Sequence, residues 1–335
     1  MTSCEHDTAL QTRSVHDPRV SGKRFALWPL WPDVHAGGAR SIGPGFAAAC
    51  AGLLCLACGD DGDAEGDPAP SSDSSPTERA NLDVATRLLE LGISGGDPAV
   101  VTALVREDCI QHGAQVMDGR DGLLAFIGAS EARGSKAVQI HRKLANGDHV
   151  ALHSTYGTGD NRQVAFDVFR LQNGQVAEHW AAFQAWVDPS MTVSGNSMVD
   201  GPTAVEDRAL TEQNEQLVTR MVREAFVEGR SELFAGYIGD PYIQHNPQAG
   251  NGLAAVQAFF ASLPMLGIEL AYTASPLALA DGNFVLVASE GYLGTRESYT
   301  VFYDLFRVDG SKLVEHWDVV QGIDQDTVPH DNGSF

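Results

Sequence analysis

Residues 303–318 read Tyr-Asp-Leu-Phe-Arg-Val-Asp-Gly-Ser-Lys-Leu-Val-Glu-His-Trp-Asp, and this stretch decides the fold because both of its ends have counterparts earlier in the chain. The earlier copy has Phe-Asp-Val-Phe-Arg at 166–170 and Glu-His-Trp at 178–180, both displaced by 137 residues (303 − 166 and 315 − 178). A third motif, Ile-Gln-His, occurs at 110–112 and at 243–245, which are 133 residues apart (243 − 110). Three motifs that recur in one order predict a tandem repeat of one domain.

The two copies differ at the residue that follows the shared tryptophan. Asp318 follows Trp317 in the second copy, whereas Ala181 follows Trp180 in the first. The sequence therefore predicts two halves of the same architecture, of which only one has a carboxylate at this position.

Each copy has helical spacing first and strand signals afterwards. In the second copy, apolar residues from Leu210 to Phe226 recur at helical spacing, a short helix is predicted over 232–238, and Gly252 opens a third helix. Strands are predicted over 268–275, 277–280, 284–292, 297–308 and 313–321. The first copy has predicted helices over 81–91 and from Asp97 onward, and strands over 137–144, 149–156, 162–171 and 175–186. This order predicts an α+β fold of two tandem cones, each with helices packed on a strongly curved antiparallel sheet.

These patterns divide the 335 residues into six segments. They are a leader over 1–58, an acidic linker over 59–79, a first domain over 80–190, a linker over 191–206, a second domain over 207–325 and a tail over 326–335. Residues 59–78 carry seven acidic groups and no Lys or Arg, among Gly, Pro and Ser. This composition is typical of a disordered linker.

The leader has the pattern of a secretory signal. Arg40 precedes an apolar stretch over 42–57, which is short for a membrane span and rich in Gly and Ala. The stretch ends in Leu-Ala-Cys58 before the acidic linker, which resembles a bacterial lipoprotein cleavage site and implies lipidation of Cys58. Cys50 is a rival site, and a buried or disordered apolar segment is the alternative. The sequence thus predicts an exported bacterial protein that is lipid-anchored at the cell envelope, with no other membrane contact.

Charge and cysteine usage exclude several classes of site. The formal net charge of −22 argues against a nucleic-acid partner, because no basic surface would offset the phosphate repulsion. Four of the five cysteines lie in the leader, and Cys109 is alone in the folded part, so neither a disulfide framework nor a cysteine metal site is predicted.

The histidines of the first copy do not predict a metal site. His149 and His153 share a face of one predicted strand, but residues four apart on a strand are separated by about 13 Å, too far to bind one ion. Three more histidines, His112, His141 and His179, occur in this copy. The expectation is that no metal is bound.

Two motifs of the second copy carry a resemblance to a known family. They are Tyr-Ile-Gln-His-Asn-Pro at 242–247 and Phe-Arg-Val-Asp-Gly-Ser-Lys-Leu-Val-Glu-His-Trp-Asp at 306–318. With them, residues 205–325 resemble the SnoaL-like family of the nuclear transport factor 2-like (NTF2-like), or cystatin-like, cone fold, and especially bacterial SnoaL-like aldol-condensation enzymes. The resemblance is weaker over 80–190. It implies one apolar pocket per cone, frequent dimerisation through the sheet, and no cofactor.

Asp318 is the candidate catalytic base. The resemblance implies this role, because an aspartate on the last strands of the SnoaL-type polyketide cyclase takes a proton from a carbon next to a carbonyl. Strand alternation places His316 and Asp318 on one face, and burial among apolar neighbours would raise the carboxyl pKa towards the range of a general base. An exposed aspartate, or one paired with Arg307, is the alternative.

Asp304 and His245 are the candidate catalytic partners. Asp304 lies 14 residues before Asp318 (318 − 304) on the neighbouring strand, where two close carboxylates can share one proton. The cyclase has a histidine at this position, so Asp304 departs from its pattern. His245 is a candidate acid or oxyanion partner. Asp167 and His112 are their counterparts in the first copy, which lacks the base. Their presence there favours structural roles for Asp304 and His245 about as much as catalytic ones.

The remaining predicted site residues are Tyr242, Phe260, His316 and Trp317, which we expect to line the pocket of the second cone. The first-copy counterparts are His112, Asp167 and His179. Because Glu-His-Trp occurs in both copies, its first predicted role is packing and sheet hydrogen bonding. With Ala181 in place of the base, the first domain is predicted to be a degenerate partner that supplies interface area or a separate binding pocket.

The predicted activity is therefore proton abstraction next to a carbonyl, leading to aldol condensation, cyclisation or isomerisation of a small apolar carbonyl compound, without a cofactor. The alternative is a non-catalytic ligand-binding or scaffold lipoprotein built from two cones, because this fold hosts enzymes and binders alike. The two copies are expected to pair through their sheets, either within one chain as a pseudo-dimer or between chains as a homodimer.

Overall fold

The computed structural model describes residues 74–131 and 137–335. The predicted leader and Cys58 lie outside the described residues, so lipidation stays a prediction. None of the helices in the described part of the chain is long and apolar enough to span a membrane.

Both domains have the same order of helices and strands. The first contains α1 (Pro76–Arg87), which continues as a π-helix over Leu88–Ser94, α2 (Pro98–Leu104), β1 (Val105–Gln111), α3 (Gly119–Glu131), β2 (Val138–Asn146), β3 (His149–Tyr156), β4 (Gln163–Gln172) and β5 (Gln175–Ala185). The second contains α4 (Thr211–Met221), which continues as a π-helix over Val222–Val227, α5 (Phe234–Tyr237), β6 (Ile238–Gln244), α6 (Leu253–Met265), β7 (Glu269–Asp281), β8 (Phe284–Gly294), β9 (Tyr299–Asp309) and β10 (Lys312–Gly322).

Each domain is built on one five-stranded sheet. The strand order is β1-β5-β4-β3-β2 in the first and β6-β10-β9-β8-β7 in the second. The edge strands β1 and β6 pair in parallel with β5 and β10, and the other neighbours are antiparallel. The helices pack on one face of each sheet, which gives the predicted α+β cones.

The start of α1 differs from the prediction. Ser75 accepts a hydrogen bond from the backbone N–H of Glu78, and the Glu78 side chain accepts one from the backbone N–H of Ser75. This capping box, with Pro76 in the first turn, starts the helix five residues before the predicted Asn81 and inside the segment assigned to the acidic linker. Glu78, which is one of the acidic residues of the predicted linker, therefore belongs to the cap of a helix.

Two strand predictions also change. β7 is one strand over Glu269–Asp281, where the sequence predicts two, because two irregularities between Tyr272 and Leu277 bend it without ending it. The edge strands β1 and β6 were not separated from the helical part of each copy, since a short parallel strand pairs with a residue far along the chain and leaves little local signal.

The two sheets pack face to face within the chain. Their outer faces share one buried apolar layer, to which both domains contribute: Leu144, Ala151, Val164, Phe166, Val168, Trp180 and Ala182 from the first, and Leu279, Phe284, Leu286, Ala288, Val301, Tyr303, Leu305, Trp317 and Val319 from the second. The contacts follow a local two-fold relation. The backbone N–H of Phe183 donates to Gln321 Oε1 at 2.9 Å, and that of Val320 donates to Gln184 Oε1 at 2.8 Å.

The segment between the domains lies against the second domain. Asn196 Nδ2 donates to the backbone carbonyl of Gln244 at 3.0 Å, and His245 Nδ1 lies 2.6 Å from the carbonyl oxygen of Ser197. The chain that leaves the first domain therefore covers the end of β6.

The tail makes the equivalent contacts with the first domain. Asn332 Nδ2 donates to the backbone carbonyl of Gln111 at 3.0 Å, and His112 Nδ1 lies 3.2 Å from the carbonyl oxygen of Gly333. The chain that leaves each domain thus covers the other one, so the two domains exchange their terminal segments.

Asp281 forms an ion pair within the second domain and a hydrogen bond to the first domain, and its loss is expected to destabilise the protein. Its carboxylate contacts Arg208 at 2.7 Å and accepts the backbone N–H of Ala145, in the first domain, at 2.9 Å. We expect Asp281→Ala to lower the free energy of unfolding by about 2–3 kcal/mol, because it leaves a partly buried guanidinium and a buried N–H without partners. Urea denaturation would measure the change.

A surface ion pair provides the control. Asp83 contacts Arg87 at 3.6 Å, and both side chains are more than half exposed. We expect Asp83→Ala to change the free energy of unfolding by less than about 0.5 kcal/mol. Equal effects of the two substitutions would contradict the role given to Asp281.

Candidate active site

A chain of four hydrogen-bonded side chains crosses the inner face of the second sheet. His316 Nδ1 lies 2.8 Å from Gln244 Oε1, and His316 Nε2 lies 3.1 Å from Asp304 Oδ1. The hydroxyl of Tyr272 donates to Asp304 Oδ2 at 3.0 Å. All four side chains are buried, so these bonds fix the positions of the imidazole and the carboxyl.

The geometry of these hydrogen bonds requires a proton between His316 and Asp304. The backbone N–H of Asn246 donates to Gln244 Oε1 at 2.9 Å, which identifies that atom as the amide oxygen. The facing Nδ1 of His316 must then donate, and the other ring nitrogen faces Asp304 Oδ1. Two acceptors cannot bond to each other, so a proton lies between His316 and Asp304.

The first domain contains the same chain of side chains. His179 lies 3.0 Å from Gln111 Oε1 and 3.2 Å from Asp167 Oδ1, and the hydroxyl of Tyr156 donates to Asp167 Oδ2 at 2.8 Å. The tyrosine comes from β3 here and from β7 in the second domain, so equivalent hydrogen bonds come from non-equivalent strands.

Asp318 lies directly opposite Asp304 in the pairing of β10 with β9. Only 6% of the residue is exposed. Its Oδ2 accepts a hydrogen bond from Asn246 Nδ2 at 2.6 Å, whereas its buried Oδ1 has no partner among the described residues. Asp318 is therefore shielded from water but has one oxygen available.

The surroundings raise the pKa of the Asp318 carboxyl to about 6. Burial is the largest cause, and the nearby Asp304 adds to it, whereas His316, the hydrogen bond from Asn246 and the more distant His245 act in the opposite direction. A carboxylate with this pKa is mostly ionised near pH 7 and is a stronger base than an exposed aspartate.

Tyr242 lies near the two carboxyl groups. The residue is 2% exposed, and burial together with the charges of Asp304 and Asp318 raises the pKa of its phenol well above the usual value. No hydrogen bond to its hydroxyl is found among the described residues. A neutral phenol beside a carboxylate can donate a hydrogen bond to a substrate oxygen.

The structure separates two predicted site residues from this cluster. His245 stacks on Trp317 with ring centroids 4.7 Å apart, and its Nε2 lies 2.9 Å from Glu315 Oε1. Both rings belong to the outer face of the sheet, on which Trp317 is part of the layer between the domains. Neither residue lies on the face that carries the Asp318 cluster, because the alternation that turns Asp318 inward turns Trp317 outward.

The counterpart residues of the first domain show the same separation. His112 stacks on Trp180 and contacts Glu178 at 2.9 Å, on the outer face, whereas Asp167 and His179 lie inside. Phe260 of the second domain is half-buried on α6 and packs against the inner aromatic side chains Phe226 and Phe234.

A cavity of about 240 Å³ lies inside the first domain. Ile93, Val116, Leu123, Phe126, Ile127 and Phe183 line it with apolar side chains, and Tyr156, Asp167 and His179 lie at its polar end. Gly113 and Ala181 are part of its wall, at the positions that Asn246 and Asp318 occupy in the second domain. Two small residues thus leave space where the second domain has an amide and a carboxylate.

One group of side chains in the described residues has metal-ligand spacing. Potential ligand atoms of Asp304, His316 and Asp318 all lie within 4.8 Å of one another. In the arrangement observed, His316 Nε2 and Asp304 Oδ1 are bonded to each other, so an ion would have to displace their shared proton. Hydrogen bonding accounts for the contact between His316 and Asp304 directly.

Asn246, Gln244 and Tyr272 belong to this site but were not predicted from the sequence. The repeat contains a signal for Asn246, because Gly113 follows the first Ile-Gln-His motif and Asn246 follows the second. This difference accompanies the change from Ala181 to Asp318. Tyr272 leaves no such signal, since its partner in the first domain comes from another strand.

Comparison with known proteins identifies the domain type. The model of the SnoaL-like domain family matches residues 85–179. No curated protein matches the chain. A structure assigned as a SnoaL-like polyketide cyclase from Jannaschia sp. is 20% identical over 34% of this chain and 92% of its own, with a TM-score of 0.31.

Two further solved structures cover similar lengths. An NTF2-like protein of unknown function from Mesorhizobium loti is 16% identical over 33% of this chain and 97% of its own (TM-score 0.30). A protein assigned as a ketosteroid isomerase from Kribbella flavida is 22% identical over 33% and 83% (TM-score 0.30). The family match thus covers residues 85–179, and the second domain has the same order of helices and strands as the first.

Proposed function

We propose that the second domain is an enzyme that abstracts a proton from a carbon next to a carbonyl group of a small apolar compound, with Asp318 as the base. The observation that carries the proposal is the buried carboxyl of Asp318, which has one free oxygen and a pKa of about 6. A base of this strength takes part in proton transfer near neutral pH. Aldol condensation, cyclisation and isomerisation all begin with this step.

The neighbouring groups suit the enolate that would form. When Asp318 takes the proton, negative charge moves to the carbonyl oxygen of the substrate, where a donor stabilises it. The phenol of Tyr242 is the nearest candidate donor with a free hydroxyl, and the proton shared by His316 and Asp304 is the second. Asn246 keeps the Asp318 carboxylate in place by donating to Oδ2.

Substrate would reach Asp318 beneath α6. This helix covers the inner face of the sheet, yet only Val256 and Leu263 of its thirteen residues are buried. Leu253 and Phe260 of this helix also pack, partly buried, against the core of the second domain, so this route requires local opening of α6.

The proposal predicts catalysed hydrogen exchange that depends on pH. With 2-tetralone and related cyclic ketones in D₂O, the protein is expected to speed incorporation of deuterium next to the carbonyl, which NMR spectroscopy measures. Because only the ionised Asp318 can accept a proton, the catalysed rate should fall as the pH is lowered through about 6. Catalysis that stays constant down to pH 4.5 would contradict Asp318 as the base, and exchange no faster than in buffer for every ketone would contradict the activity.

A further inference from the structure

We infer that the cavity of the first domain is a separate binding site for an uncharged, largely apolar molecule with a hydroxyl group. This domain lacks the base, so the site does not depend on the activity proposed for Asp318. The inference rests on the shape of the cavity, its polar end and a residue that the second domain contributes to its wall.

The cavity exists because two positions carry small residues. A Cβ at Gly113 would meet Ala181 Cβ at 3.8 Å and Val116 Cγ2 at 3.9 Å, which are ordinary contact distances, so a side chain could start there without a clash. Apolar side chains of α3 and of the π-helical segment that follows α1 form most of the wall. Apolar cavities of about 150 Å³ hold benzene, so about 240 Å³ is enough for a fused pair of rings.

The polar end accepts hydrogen bonds. The carboxyl of Asp167 uses one lone pair of each oxygen, towards His179 and Tyr156, and keeps the others available. No Lys or Arg is among the described residues that line the cavity, and Asp167 is its only acidic residue. Both ring nitrogens of His179 are already bonded, to Gln111 and Asp167, so an anion would find no free cation beside the carboxyl group, whereas a hydroxyl could donate to Asp167.

The second domain completes the wall through Gln321. This residue lines the cavity, and its Oε1 accepts the backbone N–H of Phe183, which leaves its amide N–H groups as donors at the rim. A bound hydroxyl oxygen can accept from this amide. Gln184, which makes the equivalent bond to Val320, does not line the cavity. The site therefore consists of residues from both halves of the chain.

The test uses the fluorescence of 2-naphthol titrated with the whole protein. We expect saturable binding of one molecule per chain, and binding at least tenfold weaker for the 2-naphthoate anion. Ala181→Phe, which fills the cavity, should weaken 2-naphthol binding at least tenfold. Gly113→Val is a second filling variant, because its first added carbon makes only ordinary contacts; circular dichroism would check that either variant is folded.

Gln321→Ala and Gln184→Ala form a matched pair. Each removes one of the two equivalent hydrogen bonds between the domains, but only Gln321 borders the cavity. We expect 2-naphthol to bind severalfold more weakly to Gln321→Ala and unchanged to Gln184→Ala. Absence of binding, equal binding of 2-naphthoate, or binding that is unaffected in a folded filling variant would overturn the inference.

Discussion

Replacing Asp318 with asparagine is expected to abolish catalysed exchange and, at the same time, to make the protein more stable at neutral pH. Loss of a general base lowers rates by about a hundredfold or more. Asparagine has nearly the same shape and can accept the hydrogen bond from Asn246, so the substitution removes the charge and leaves the packing in place. Activity and stability are expected to change in opposite directions, because burying the carboxylate costs free energy whereas the proposed reaction needs it as the base.

The stability effect has a defined pH range. The folded pKa of Asp318, about 6, lies above the value of 3.8 for an unperturbed aspartate. The folded protein therefore binds this proton more tightly than the unfolded chain, and the contribution of Asp318 to stability is largest below pH 4 and is lost as the pH rises to about 6. This difference between the folded and unfolded pKa corresponds to about 2–3 kcal/mol in the free energy of unfolding.

Urea denaturation at pH 4 and pH 7 measures this effect. We expect Asp318→Asn to exceed the wild type in free energy of unfolding by about 2–3 kcal/mol at pH 7 and to match it more closely at pH 4. A variant that is less stable than the wild type at pH 7, or that keeps its exchange activity, would contradict the assignment.

Substitution of Arg142 is expected to give the largest loss of stability. Its side chain is fully buried between the sheets and the segment that joins the domains, and it donates to the carbonyl oxygens of Pro202, Val199 and Asp200 at 2.8, 3.0 and 2.6 Å. The guanidinium also stacks on Trp317, 3.9 Å from the ring centroid. Burial lowers the pKa of Arg142 to about 9, so the group is still charged at neutral pH.

We expect Arg142→Leu to lower the free energy of unfolding by about 3–5 kcal/mol. Replacing a whole buried ion pair with apolar residues is often tolerated, but the partners here are backbone carbonyls, which remain buried without donors after the substitution. Arg142→Lys is the control, because it keeps the charge and loses the planar set of donors that reaches three carbonyls.

The measurement is urea denaturation followed by tryptophan fluorescence. Arg142→Lys is expected to recover only part of the stability that Arg142→Leu loses, since one ammonium cannot replace all three hydrogen bonds. Two variants that unfold at the same urea concentration as the wild type would show that these carbonyls are satisfied in another way.

The sequence was sufficient for the repeat, the α+β order and the neighbourhood of Asp318 and Asp304. The repeat and the order of elements follow from local patterns. The pairing of Asp318 with Asp304 also needs the bulge between Leu313 and Glu315, which shifts by one residue the register that the Asp309-Gly310 turn sets. Strand alternation beyond the bulge places His316 and Asp318 on one face. The same rule, applied to β6, puts Gln244 with Tyr242 inside and His245 outside.

Contacts between distant segments could not be predicted. Tyr272 and Tyr156 reach equivalent carboxyl groups from different strands, and Arg142 meets carbonyls of a connecting segment about sixty residues away. One apolar pocket per cone was expected, but the size of the cavity in the first domain could not be predicted, for a related reason. Its size depends on the joint absence of side-chain atoms at Gly113 and Ala181, which become neighbours only after folding.

The exchange of terminal segments between the domains resembles a symmetric dimer whose subunits have been fused. In a dimer of identical subunits, any substitution appears in both sites. A change from aspartate to alanine that enlarges one pocket would therefore also remove the carboxylate from the other. Fusion removes this constraint. Here Asn246 and Asp318 remain in one site while Gly113 and Ala181 occupy the other, so a covalent connection allows two originally equivalent sites to specialise independently under a shared framework.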